Sequence, residues 1–217
     1  MPLHPEGMLT TGPLIQIVGA AASGPDPLEW QVLRFQRTTR TEYWEASWRH
    51  PLQPLASQLD YLAMTLTPEL FARCPPAERE MWTKAADGRP ITEFMTDLAM
   101  LLRLTDRQAD TPYDEVPLAG WEARARFPLL MNLDAWAYDG EYGSFAESHQ
   151  NWLDNEHPNC EWDVVPMLGQ AVEALALVSR FEGFGEALLA HASGATAATL
   201  STVVALGAAH LKDRHRA

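Results

Sequence analysis

Two cysteines, Cys74 and Cys160, are too few for a disulfide scaffold, so the 217-residue chain must hold itself together by packing. Its length suffices for that, since a chain of this size buries roughly 70% of the surface its unfolded form exposes. Positive charge is also scarce. Lys and Arg total 16 against 29 Asp and Glu, a formal charge of −13, which argues against a general nucleic-acid binder. The first residues, Met-Pro-Leu-His-Pro-Glu-Gly, lack the basic and apolar regions of a secretory signal. Free thiols and eight methionines fit a reducing, cytoplasmic setting. The longest uncharged stretch, 187–211, is diluted by Ser193, Gly194, Thr196, Thr199, Ser201, Thr202 and Gly207, so it reads as a closely packed helix and not as a membrane anchor. Apolar residues at 47% and charged residues at 21% are those of an ordinary globular protein.

Regular elements follow from periodicity and punctuation. Pro2, Pro5, Pro13, Pro25 and Pro27 interrupt the first 27 residues, leaving Leu14–Val18 as a short strand candidate. Leu33 and Phe35 alternate with Arg34 and Gln36, and Trp44, Ala46 and Trp48 alternate with Tyr43, Glu45 and Ser47. That period of two predicts a short N-terminal hairpin, with a helix over 29–49 as the competing reading. From Pro51 the period turns helical. Leu55, Leu59, Leu62 and Leu66 share one face, Thr67-Pro68-Glu69 starts another helix, and Pro75-Pro76 to Gly88 brackets a third. Ile91, Phe94, Met95, Leu98, Leu101 and Leu102 form the clearest apolar face of the first half. Pro128 opens or kinks a helix holding Leu129, Leu130, Leu133 and Trp136, and Ser144-Phe-Ala-Glu147 is a capping-box pattern. Val165, Leu168, Val172, Leu175 and Val178 make an apolar seam suited to a bundle, and Leu200 to Leu211 a last helix. The expected fold is therefore mainly α: one helical bundle-like domain, 1–217, with a short N-terminal β element. The alternative is a subdivision into 1–104 and 118–217 around a loop at 105–117.

No catalytic signature stands out. There is no Gly-x-Ser-x-Gly elbow and no phosphate-binding glycine loop, and the acidic stretch 134–141 fails the EF-hand spacing. Nitrogen, oxygen and sulfur donors gather at His149, Asp154, Glu156, His157 and Cys160. Of these His149, Asp154 and His157 are the candidate ligands of a divalent metal, the one cofactor the sequence suggests. His210 and His215, beside a basic end, read as solvated.

The most unusual feature is charge segregation. Residues 1–110 carry 14 acids and 10 bases, a net of −4; residues 111–217 carry 15 acids and 6 bases, a net of −9. Between Arg126 and Arg180 no lysine or arginine occurs, while nine acids and seven aromatic residues do. Aromatic side chains anchor interfaces and carboxylates steer basic partners. The functional expectation is a non-enzymatic, cytoplasmic interaction module that meets a basic protein through Trp136, Tyr138, Asp139, Glu141 and Tyr142. Direct nucleic-acid binding and membrane association are not expected. The alternative is a metal-dependent hydrolase using His149 and His157 with neighbouring carboxylates.

Overall fold

A computed structural model describes residues 5–39, 52–109 and 111–215. It is mainly helical, and the chain divides into two compact units, Met1–Thr111 and Pro112–Ala217.

The first unit holds α1 (Pro5–Leu9), α2 (Gly12–Ser23), α3 (Leu28–Thr38), α4 (Leu52–Thr65), α5 (Pro68–Ala72), α6 (Pro76–Ala86) and α7 (Ile91–Asp106). Prolines set several starts, at Pro13, Pro68 and Pro76, where the missing N–H would have had no intrahelical partner. Thr67 caps α5 by accepting from the Leu70 amide at 3.3 Å. Left-handed Asp87 and Gly88 end α6. The α4 and α7 faces pack against each other through Leu55, Leu59 and Leu62 and through Phe94, Met95, Leu98 and Leu102, all buried. Trp82 is fully buried, edge-on to Phe94, and donates its indole N–H to the Leu9 carbonyl at 3.1 Å.

The expected N-terminal hairpin is overturned. No strand occurs among the described residues; Leu14–Val18 lies within α2 and Trp30–Gln36 within α3, while the second expected strand, 41–48, lies outside the described residues. The reason is buried polarity. Gln31, Arg34, Gln36, Arg37 and Thr38 of α3 are buried beside Val32 and Phe35, so its inner face does not read as apolar. Gln36 donates to the Thr105 and Gln108 carbonyls at 2.8 and 3.0 Å, and Arg37 to that of Thr111 at 3.1 Å. These bonds satisfy carbonyls at and beyond the end of α7, where a helix runs out of its own donors.

The second unit holds α8 (Gly120–Arg126), a 3₁₀ turn (Pro128–Leu130), α9 (Trp136–Asp139), α10 (Phe145–Glu156), α11 (Val164–Arg180), α12 (Phe184–His191) and α13 (Ala197–Arg214). Pro128 thus opens only a single tight turn, and the run to Trp136 is broken. Helices α11 and α13 form the main pair, with α10 against α13 and α12 against α11 and α8. Tyr113, Phe127 and Phe184 make an aromatic core, with Tyr113 and Phe184 centroids 4.7 Å apart. Ser144 caps α10 by accepting from the Glu147 amide at 3.2 Å, while the Glu147 carboxylate reaches back to the Gly143 amide at 2.9 Å. A full reciprocal capping box starts α13 between Thr196 and Thr199.

The apolar seam of α11 is rotated from its expected phase. Val164, Ala171 and Ala174 are buried, Leu168, Leu175 and Val178 are half-buried, and Val165 and Val172 face solvent. Apolar residues surround this helix, and small Ala171 and Ala174 on the inner side favour close packing.

Candidate metal centre

A second, small apolar cluster of Leu153, Cys160 and Val164 forms where α10 gives way to α11. Trp152 and, from α13, Leu206 and Leu211 pack against it. The link between α10 and α11 is a compact turn. The Asn159 amide donates to the Glu156 carbonyl at 2.7 Å, that of Trp162 to Asn159 at 3.0 Å, and that of Val165 to Cys160 at 2.9 Å. These bonds turn Cys160 inward, 1% exposed, while His157 just after α10 stays exposed.

The last turn of α13 brings two more donors to the same place. His210 is buried, and the Cys160 sulfur lies 3.3 Å from its Nε2 and 3.8 Å from His157 Nδ1. His215 sits just past the helix end. Five residues on from His210 it would point well away in a continuing helix. Leaving the helix lets its ring come back, with centroids 5.2 Å from His157 and 6.1 Å from His210. The His157 and His210 centroids are 5.7 Å apart. The rings are tilted or edge-on to one another, not stacked. All four donor atoms, of His157, Cys160, His210 and His215, lie within 4.8 Å of one another.

That geometry suits a four-coordinate ion. Zinc–sulfur and zinc–nitrogen bonds of about 2.3 and 2.1 Å at tetrahedral angles set sulfur and nitrogen about 3.6 Å apart. The two sulfur–nitrogen separations, 3.3 and 3.8 Å, straddle this value. Imidazole and thiolate donors also favour zinc and its first-row neighbours over calcium or magnesium, which take oxygen. Burial pushes the His210 pKa down, nearby His157 pushes the same way, and Asp154 opposes them. A neutral ring is the form that ligates. Asp154 of α10 pairs with Arg214 of α13 at 3.8 Å and so joins the two segments that carry the donors.

The sequence-derived ligands divide here. His157 belongs to the cluster. Asp154 is tied to Arg214 beside it and is not one of the four grouped donors. His149 stands apart, stacked between Phe145 and Trp152 at 5.5 and 5.2 Å. Burial lowers its pKa to about 4, and its Nε2 is buried without a hydrogen-bond partner. The reading of His210 as solvated is corrected by its burial beside Cys160; His215 is exposed, as expected, although its donor nitrogen lies within 4.8 Å of the other three donor atoms. A His-x-x-Cys and a His-x₄-His pair, though 50 residues apart, have the short spacings from which zinc sites are built, and that pairing was the available signal.

The acids between Arg126 and Arg180 do not meet in one pocket with these donors. Glu173 pairs with Arg126, whose guanidinium also donates to Tyr113. Burial works against the Arg126 charge, but Tyr113, Glu173 and Glu122 together hold it above the ordinary arginine range. Asp134 accepts from the Ser193 hydroxyl. A cavity of about 520 Å³ includes Tyr113, Asp114, Leu118, Glu182 and Phe184 in its lining but none of the four donors. Of the expected partner-binding residues, Trp136 is half-buried, Glu141 is exposed, and half-buried Tyr142 accepts from Asn151 at 2.8 Å. The side chains of Tyr138 and Asp139 lie outside the described residues. Among the described residues no helix is long and apolar enough to cross a membrane. Comparison with protein-family models, with curated proteins and with solved structures found no match.

Proposed function

We propose that the C-terminal unit is a metal-binding module that takes one zinc ion, or a chemically similar first-row ion, on His157, Cys160, His210 and His215. The observation that carries this reading is the convergence of four donor atoms within 4.8 Å from two segments distant in sequence. Four protein donors complete a tetrahedral shell, which is the arrangement of structural zinc. The ion's role is to clip the end of α13 to the turn after α10. A hydrolase would need an open coordination position beside a general base, and the donor count favours the closed site instead.

Metal content of the purified full-length protein tests the reading, together with cobalt substitution and melting with and without chelator. One equivalent per chain is expected, with an intense visible cobalt spectrum of tetrahedral type and a sulfur-to-cobalt charge-transfer band. At a free ion concentration of 100 Kd the ion should add about 2.7 kcal/mol. Cys160→Ser and His210→Ala should each weaken binding by about two orders of magnitude, and His149→Ala should leave stoichiometry unchanged. Sub-stoichiometric binding, a melting temperature indifferent to zinc, or a weak octahedral cobalt spectrum would overturn the proposal.

A further inference from the structure

The four donors are not held alike. Cys160 is 1% and His210 6% exposed, whereas His157 and His215 are exposed. The buried pair is close, with the sulfur 3.3 Å from His210 Nε2. Leu206 and Leu211, one turn before His210 and one residue after it on α13, pack against the apolar cluster that holds Cys160. His157 also reaches the sulfur, with Nδ1 at 3.8 Å, and its backbone is fixed on both sides. Helix α10 ends just before it, and the Asn159 amide bonds across it to the Glu156 carbonyl at 2.7 Å.

His215 has far less to hold it. Among the described residues its side chain meets the His157 and His210 rings and makes no hydrogen bond or ion pair. Its backbone has left the helix, with φ of −116° and ψ of 25°, and its amide donates to the Leu211 carbonyl at 3.1 Å. The side chain of Arg214 beside it meets Asp154 at 3.8 Å in an exposed pair, of a kind that contributes little in water. Helix ends fray ahead of their interiors, and local opening costs least where few apolar contacts must break.

Release of His215 would leave Cys160, His157 and His210 on the ion. Three protein donors are enough to hold zinc in sites whose fourth position belongs to water or another small ligand. His210 would still clip α13 to the turn after α10. Release of Cys160 or His210 would instead require a buried side chain to leave its packed neighbours. The path from solvent to the ion therefore lies on the exposed side, where His157 and His215 stand, and His215 is the less anchored of the two.

We infer that His215 is the exchangeable ligand of the metal centre: the ion enters and leaves through the position His215 occupies, and a small monodentate nitrogen donor from solution, of the imidazole class, fills that position when His215 is away. The step is a ligand substitution with no change of oxidation state. The bond from the ion to the His215 ring nitrogen breaks, and a bond to the lone pair of the incoming water or imidazole forms. This inference rests on the metal reading above and adds the order in which the donors let go.

The test uses cobalt-loaded full-length protein mixed with excess chelator and followed by loss of the thiolate-to-cobalt band. Because the ring is exposed, His215→Ala leaves the fold intact. At saturating cobalt this variant should keep one equivalent and the thiolate band, and should yield the ion to chelator at least about tenfold faster than wild type. Added imidazole should slow that loss towards the wild-type rate and shift the visible bands. His157→Ala and His210→Ala should each bind cobalt at least about tenfold more weakly than His215→Ala does. A wild-type rate of loss from His215→Ala, a rate indifferent to imidazole, or an affinity loss as large as that of His157→Ala would overturn the inference and leave the metal reading standing. Wild-type protein that fails to take up one equivalent of cobalt would overturn both, so its stoichiometry tells the two failures apart.

Discussion

His149 offers a pH titration with a calculable amplitude. Its ring lies between Phe145 and Trp152, out of water, with Nε2 unpartnered. In the unfolded chain it takes up a proton near pH 6.5, but in the folded protein only near pH 4. Between those values the unfolded state binds more protons. The stability tied to the neutral ring is complete above 6.5 and is lost as the pH falls towards 4. The shift of about 2.5 units corresponds to roughly 3 kcal/mol at full extent, and about 2 kcal/mol is already gone near pH 5. His149→Phe keeps the stack and removes the proton site. The comparison is best made by hydrogen exchange of the α10 and α13 amides, which isolates the C-terminal unit, with chelator present so that acid release of metal plays no part. Near pH 7.5 the two proteins should differ by no more than about 1 kcal/mol. Near pH 5 the phenylalanine variant should lead by about 2 kcal/mol more than it does at pH 7.5. A stability difference that stays flat across this range would refute the argument, because it would mean that the ring is charged or solvated in the fold.

Two further substitutions probe the packing. Gly194 has φ of +79°, and a Cβ there would lie 2.5 Å from the Asp134 amide nitrogen, so Gly194→Ala should destabilise the C-terminal unit by roughly 2–4 kcal/mol in the same exchange measurement. Trp82→Phe strips the Leu9 carbonyl of its buried donor and leaves a void, and should cost the N-terminal unit roughly 2–3 kcal/mol by exchange of the α2 and α6 amides.

The helices whose inner faces are aliphatic were legible from spacing alone. Leu55, Leu59 and Leu62, and Phe94, Met95, Leu98 and Leu102, mark α4 and α7 because nothing polar interrupts them. Helix α3 is covered only by the competing reading, a helix over 29–49, because its buried face carries glutamine and arginine, whose partners at Thr105, Gln108 and Thr111 lie some seventy residues away. The phase of α11 was misjudged for the opposite reason, since valine and leucine surround it and only packing selects a side. The four grouped donors are legible only in part. His157 alone is among the sequence-derived ligands; Cys160 lies in the same donor-rich stretch but is not chosen, and His149 is drawn in by proximity along the chain. The short spacing of His210 and His215 is a signal in itself, but what brings them to His157 and Cys160 is the return of α13, which the sequence does not announce.

That return has a temporal corollary. Cys160 leaves the ribosome some fifty residues ahead of its neighbour His210. A nascent chain lacking α13 offers an ion just one imidazole and one thiolate of the four donors. On the proposed site, tight capture of an ion would wait until α13 is synthesised and docked, and metal retention would report that docking.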